Sequence, residues 1–345
     1  MNRKKRGLLS RITACALAVS MAFAGSSCGS TKATETIFVI GQSQGIQFWD
    51  LLQTGAEDAG NELGYNIVYQ NATDTQDVET QKQLIKRAIS EKAKAIVFAP
   101  NDPSALNDDL KSAQTAGIKL VAIDAPCSLK GVSYIGTDNL SAGNIAGRNA
   151  NSSILFGKGK VAIIKHSQTS SAASDRVNGF KQALKSSEGP DGIQFVVEES
   201  CNGNADTAKQ MAIDAITANP DLKLIYTTNE KSTIGACAGV AEMELSGKVR
   251  VIGYNSNDAE ISYLMDQTLT GTIIQSPYNM GYLGVKYASD LLDTVTINGV
   301  TASKTIPTNV DTGATYISLN NYSDDISQLL IHPDTFGKNQ NVVAK

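Results

Sequence analysis

From Thr36 onward, short runs of branched apolar residues alternate with amphipathic stretches, and this alternation limits the chain to a few fold classes. Strand-like runs are TIFVIG (36–41), YNIVYQ (65–70), AIVFAP (95–100), KLVAID (119–124) and VSYIGTD (132–138). They continue with KVAIIKH (160–166), IQFVVEE (193–199), LKLIYTTN (222–229), VRVIGYN (249–255) and GTIIQ (271–275). Several are apolar at consecutive positions, as strands covered on both faces are. Between them, Trp49, Leu52, Ala56, Ala59 and Leu63 recur at helical spacing until Gly64, which stops the helix. Leu84, Ile85, Ala88 and Ile89 mark a second helix in the same way. This βα order predicts parallel sheets with helices on both faces. The strands fit one large sheet or two smaller ones, and a chain of 345 residues at roughly 150 per domain favours two. No Pro- or Ser-rich linker separates two halves, so the joint is expected to be a hinge of crossing segments.

Hydrophobic residues make up 41% and charged residues 19%, enough for a sizeable core. The charge balance is 30 − 34 = −4. Arg3, Lys4, Lys5, Arg6 and Arg11 all lie in the first 27 residues, which hold no acid, so the remainder carries 25 − 34 = −9. An acidic body without a basic cluster argues against nucleic acid as the partner. His166 and His332 are too few for a His-rich metal site, and the scattered cysteines form no CxxC. There is no P-loop, and no GxGxxG follows a strand. No metal or cofactor is expected.

Residues 1–27 have the layout of an export signal: a basic MNRKKRGLLSR, an apolar ITACALAVSMAFA and a run of small residues. The apolar zone is about 13 residues, short of the roughly 20 that span a bilayer. Ala22-Phe23-Ala24 fits ordinary signal-peptidase cleavage. Gly25-Ser26-Ser27-Cys28 resembles a bacterial lipobox, in which Cys28 would carry the lipid, although Gly25 stands where an aliphatic residue is usual. The expectation is an exported lipoprotein on the outer face of the cell membrane, with residues 28–35 as a tether; a free periplasmic or secreted protein is the alternative. Cys127, Cys201 and Cys237 would remain after export, as one disulfide plus one thiol or as three thiols.

In open parallel sheets, ligands bind at the carboxyl ends of the strands. The first strand leads through Gly41-Gln42-Ser43-Gln44-Gly45-Ile46-Gln47 to Phe48 and Trp49. The third leads to Asn101 and Asp102, the fourth ends in Asp124, and KVAIIKH ends in His166 and leads on to Arg176. Later strands end near Asn202 and Asn204, in Asn229-Glu230, in Asn255 and in Gln275. Such a set suits a small polar molecule. Asp accepts and Arg donates, so together they grip vicinal hydroxyls, while aromatic faces cover the C–H side of a ring. Helix caps and turns also use Asn and Asp, so each residue taken singly has that alternative.

An enzyme reading starts from Gly41-Gln42-Ser43-Gln44-Gly45, a GxSxG match after a strand, with His332 later in the chain. It is disfavoured. No earlier strand supplies an oxyanion loop, the helical pattern starts near Phe48 rather than directly after Ser43, and His332 sits in a polar tail.

Taken in order, FWDLLQTGAEDAGNELGY (48–65), KAIVFAPND (94–102), AGIKLVAID (116–124), IGTDN (135–139), DRVNGF (175–180), TTNEKSTIGA (227–236), VRVIGYN (249–255) and GTIIQSPYNMG (271–281) resemble the sugar-type periplasmic binding proteins of ABC transporters, the ribose- and galactose-binding group. The resemblance runs from about Thr36 to Asn321. It implies two Rossmann-like doubly wound parallel-sheet lobes joined by a three-segment hinge, with the ligand between lobes that close on it. It puts 36–137 plus 276–307 in the first lobe, 138–275 plus 308–322 in the second, and leaves 323–345 as a C-terminal tail. By motif, Phe48 and Trp49 fall where the family stacks aromatics on a sugar ring, Asp124 at its hydroxyl-binding aspartate and Arg176 at its arginine. Asn229, Asn255 and Gln275 fall at further polar contacts. His166 is an added candidate contact, or else a strand-end histidine touching solvent. Ala125 stands where ribose binders have Arg, Asn255 where many sugar binders have Asp, and Ile46 where ribose binders have Asn. Ribose itself therefore does not carry over; another sugar, a polyol, a modified pentose or a furanone-type diol would fit. The resemblance implies a monomeric, non-enzymatic protein that hands its ligand to a membrane permease, or a sensor of the same fold feeding a membrane receptor or kinase.

Overall fold

The computed structural model describes residues 35–297, 300–322 and 343–344. The βα alternation appears as expected. The first half runs β1 (Thr36–Gly41), α1 (Gln47–Leu63), β2 (Asn66–Asn71), α2 (Val78–Ser90), β3 (Ala95–Phe98), α3 (Asn107–Thr115), β4 (Lys119–Ile123) and β5 (Ser133–Gly136). The second half runs α4 (Asn139–Ala150), β6 (Gly159–Lys165), α5 (Ser171–Leu184), β7 (Ile193–Ser200), α6 (Ala205–Ala218), β8 (Leu222–Thr227), α7 (Glu230–Glu242), β9 (Arg250–Tyr254), α8 (Asp258–Met265) and β10 (Leu269–Gln275). Then follow α9 (Pro277–Leu292), the hairpin β11 (Thr294–Ile297) and β12 (Val300–Ser303), and the short strands β13 (Asn309–Asp311), β14 (Ala314–Ile317) and β15 (Val343–Ala344).

Two separate sheets form. One has the order β2-β1-β3-β4-β5-β13-β15 and the other β7-β6-β8-β9-β10-β14. The five βα strands of each lie parallel and in the same order, with the first strand placed between the second and third. That reversal of strand order opens a crevice at the carboxyl ends, one per lobe.

The consecutive apolar runs are explained by burial on both faces. In β1, Ile37 and Val39 pack into one core and Phe38 and Ile40 into another, all at most 1% exposed. In β6, Val161 and Ile163 face one side, and Ala162 and Ile164 the other. Helix α1 buries Trp49, Leu52, Ala56 and Ala59 of the stripe its spacing predicts, together with Phe48, whereas Leu63 at its last turn is exposed. Gly64 ends it in the left-handed region (φ 79°) with its N–H on the Gly60 carbonyl. Helices α4 and α5 approach very closely. A Cβ on Gly143 would fall on the carbonyl oxygen of Arg176, and one on Gly179 on that of Leu140. Those two glycines therefore seat the helix that carries Arg176.

The chain passes between the sheets after β5 and returns after β10, where α9 packs against α1 and β4. One lobe boundary needs correction. Residues 308–322 were expected in the second lobe, yet β13 pairs in parallel with β5 of the first sheet. Only β14 joins the second, antiparallel to β10. The third passage thus lies at Thr312-Gly313, not at 307–308. A three-residue strand with one buried position has no periodic signature, which is why the sequence misplaced it. The export signal, Cys28, the tether up to residue 34, His332 and most of the C-terminal tail lie outside the described residues. Within the tail, β15 pairs antiparallel with β13.

Candidate functional site

All the strand-end candidates of the resemblance meet at one cavity between the lobes. Phe48, Trp49 and Asp124 line it from the first lobe, and His166, Arg176, Asn229, Asn255 and Gln275 from the second. At its edge, a Cβ on Gly203 of the second lobe would lie 2.7 Å from the Thr75 hydroxyl of the first. The two lips therefore touch.

Asp124 and Asn255 occupy equivalent places, each directly after the fourth strand of its sheet. Both have left-handed backbones, φ 59° and 77°. Each donates its backbone N–H to the neighbouring strand, Asp124 to Ile135 (3.0 Å) and Asn255 to Ile273 (2.8 Å). Asp and Asn tolerate this region better than most residues, and it sets their side chains at the crevice. Burial pushes the Asp124 carboxyl up to about 6, against the pull of the Arg176 guanidinium. Its carboxylate makes no hydrogen bond or ion pair among the described residues.

Arg176, 3% exposed, is held on three sides. Its Nε–H donates to Asn139 Oδ1 (2.8 Å), one terminal nitrogen to the Thr228 carbonyl (2.6 Å) and the other to Gln275 Oε1 (2.6 Å). The guanidinium carbon lies 4.2 Å from the centre of the Tyr254 ring. Tyr226 donates or accepts across 3.1 Å to Tyr254 and stacks on Phe180 at 4.0 Å. An aromatic shelf thus supports the arginine from below. Gln275 passes the chain on, donating to Asn255 Oδ1 at 3.1 Å. It orients both neighbours.

His166 is 8% exposed, so the solvent-facing alternative does not hold. Its Nδ1 pairs with the Thr228 hydroxyl at 2.8 Å, and the same hydroxyl accepts its backbone N–H at 2.9 Å. Burial, with the nearby Arg176 charge, pushes its pKa down to about 3, so the ring is neutral. Asn229 does both things the sequence allowed. Its Oδ1 caps α7 by accepting the Ser232 N–H at 2.9 Å, and the residue also lines the cavity. Phe48 and Trp49 are both buried and meet edge to face, 5.0 Å between centroids.

Other strand-end residues serve local structure instead. Asn101 Nδ2 donates to the Asp74 carbonyl, Asp102 accepts two backbone N–H groups in its own turn, and Asn204 caps α6. Ser43 is fully buried, its hydroxyl on the Gln44 carbonyl, and α1 begins only at Gln47. The nucleophile-elbow geometry is absent there. Cys127, Cys201 and Cys237 are free thiols. Among the described residues, no group of His, Cys, Asp and Glu could hold a metal ion.

Gln42 and Glu230, named among the strand-end residues but not matched by motif, also line the cavity, as do Thr75 and Ser170. Glu230 stood beside Asn229 at the end of the same strand run, so the strand-end rule had the signal. Thr75 lies in the loop after β2, where the same rule would have pointed.

A family model for the periplasmic binding protein domain matches residues 37–294. The chain is 27% identical over 300 residues to the ribose import binding protein of Escherichia coli, covering 85% of this chain and 94% of that one. It is 27% identical over 265 residues to the D-ribose/D-allose-binding protein of Pseudomonas aeruginosa, covering 74% and 82%. Among solved structures, the carbohydrate transporter solute-binding protein of Agrobacterium radiobacter in complex with D-arabinose superposes with a TM-score of 0.79 at 29% identity, over 88% of this chain and 100% of that one. An ABC transporter solute-binding protein of Agrobacterium vitis with bound D-fucose gives 0.77 at 27% identity, over 86% and 99%. With a match over most of its length and two parallel-sheet lobes around a cleft, the chain belongs to the periplasmic binding protein family, whose members bind solutes rather than transform them.

Proposed function

We propose that this protein captures a sugar or sugar-like polyol between its lobes and delivers it to the permease of an ABC importer. One observation carries the reading: Asp124 from one lobe and Arg176 from the other line a single cavity beside Phe48 and Trp49. Asp124, Arg176, His166, Asn229 and Asn255 would hold the hydroxyls, Gln275 would orient Arg176 and Asn255, and the aromatic pair would cover a ring face. Closure is the useful step, because only the closed form presents both lobe surfaces to a permease together.

A thermal-shift screen of the mature exported protein tests this. The panel holds pentoses, hexoses, deoxy sugars, inositols, nucleosides and amino acids. A sugar at about 100 times its dissociation constant stabilises by roughly 2.7 kcal/mol, a shift of several degrees. Silence from every sugar and polyol, with a hit among amino acids or nucleosides, overturns the ligand class.

The family is periplasmic, which supports export. We further propose that Cys28 carries a diacylglyceryl anchor, whose two chains suffice for stable attachment where one would not. Mass spectrometry of the mature N-terminus should find a lipid-modified Cys28. An unmodified terminus, at residue 25 or elsewhere, would show a free protein instead.

A further inference from the structure

The acids and bases facing the cavity do not balance. Glu230, the first residue of α7, is 6% exposed and lines the cavity opposite the Asp124 side. It forms no ion pair among the described residues. Burial pushes its carboxyl above the ordinary range, against the pull of Asn257, Lys231 and Asn255. A like charge presses on it from the other lobe. Asp50 does so from the first turn of α1; in α8, Glu260 is itself pushed well above the ordinary carboxylate range by burial and by the Glu230 charge. Glu260 is wholly buried, takes the Asn257 N–H on Oε2 and has no partner for Oε1. The Arg176 charge bears on Asp124 and His166. His166 brings no charge.

The cavity thus presents two carboxyls, Asp124 and Glu230, and one guanidinium, three of whose N–H groups already donate to protein acceptors. Such a site has surplus acceptors and one acid without an ion-pair partner among the described residues. A ligand that brings a positive charge removes the imbalance, whereas a hydroxyl in the same place does so only partly.

We propose that Glu230 is a specificity-determining residue that selects an aminated sugar, its carboxylate receiving the ligand ammonium while Asp124 and Arg176 hold hydroxyls. This rests on the sugar-capture reading and narrows it. Glu260 keeps Asn257 in place behind Glu230.

The test is calorimetric titration of the mature protein with matched pairs that differ by one amine for one hydroxyl. The pairs are D-glucosamine with D-glucose, D-galactosamine with D-galactose, D-mannosamine with D-mannose, and 1-amino-1-deoxyribitol with ribitol. The expected result is at least tenfold tighter binding of the amine in one pair. Glu230→Gln keeps the shape and removes the charge. It should cut that preference below twofold. Binding of neutral sugars alone overturns the proposal and leaves sugar capture standing. A preference that survives in Glu230→Gln assigns the selection elsewhere and also overturns it. If neither member of any pair binds, and no sugar in the wider screen does, both readings fail together.

Discussion

Arg176→Ala is expected to lose both stability and ligand. The side chain satisfies Asn139, the Thr228 carbonyl and Gln275, all within the second lobe, and lies over Tyr254. Truncation strands those buried acceptors, at about 1–3 kcal/mol for each that water cannot reach. It also removes a desolvated cation–π contact worth about 2 kcal/mol. We expect a loss of about 3–5 kcal/mol in all, the range seen when one partner of a buried charged network is deleted. The melting temperature should fall by on the order of 10 °C. Binding should weaken by at least 2 kcal/mol, about thirtyfold. Arg176→Lys is the informative control. A single ammonium keeps the charge but cannot span three acceptors in a fork, so most of the loss should persist. Scanning calorimetry and titration of both variants check this. A melting temperature within a degree of wild type, with affinity within twofold, would remove Arg176 from the centre of the site.

Asp124→Asn should move stability and binding in opposite directions. Burial raises its carboxyl from an ordinary 3.8 to about 6. The folded state therefore holds its proton more tightly than the unfolded chain does. Stability contributed by this group is greatest below pH 4, falls as pH rises through the interval up to about 6, and stays low above it. Keeping the bare charge at pH 7.5 costs about 3 kcal/mol from a shift of this size. Asn removes that cost, so the ligand-free variant should melt several degrees higher than wild type at pH 7.5 and nearly level with it at pH 4. The ionised carboxylate is what accepts ligand hydroxyls, so the same variant should bind about tenfold or more weakly. Wild-type affinity should rise with pH through about 6 and then level off. Denaturation with and without ligand at several pH values measures all of this. A variant that is destabilised at pH 7.5 would mean that the carboxylate is already compensated.

Much of this was open to inspection in the chain before any coordinates. The ten long strand runs all form strands, because a buried strand leaves a local mark: β1 is Ile37 to Ile40 without a polar interruption. The strand-end rule found Asp124, Arg176, Asn255 and Gln275, because the crevice of a doubly wound sheet is fixed by topology and each βα junction delivers its residue there. The same rule also returned Asn101, Asp102 and Asn204, which turn out to serve turns and caps. A side chain that caps and one that faces a cavity have the same identity and the same place in sequence. Asn229, which does both, shows why no local argument separates them.

The amino-acid sequence by itself determined the two-lobed parallel architecture, the junctions that meet at the cleft and most of the residues found there. Each of these follows from periodicity within a dozen residues and from general rules of strand order. Only the tertiary structure decided that β13 belongs to the first sheet and β14 to the second. Strands of three and four residues gain their place from pairing, not from a pattern of their own. It alone decided that Arg176 is braced by Asn139, Thr228 and Gln275, partners 37, 52 and 99 positions away. It alone left Glu230 buried at the cavity wall without an ion pair among the described residues. Whether a charge is compensated depends on which distant groups the fold brings beside it.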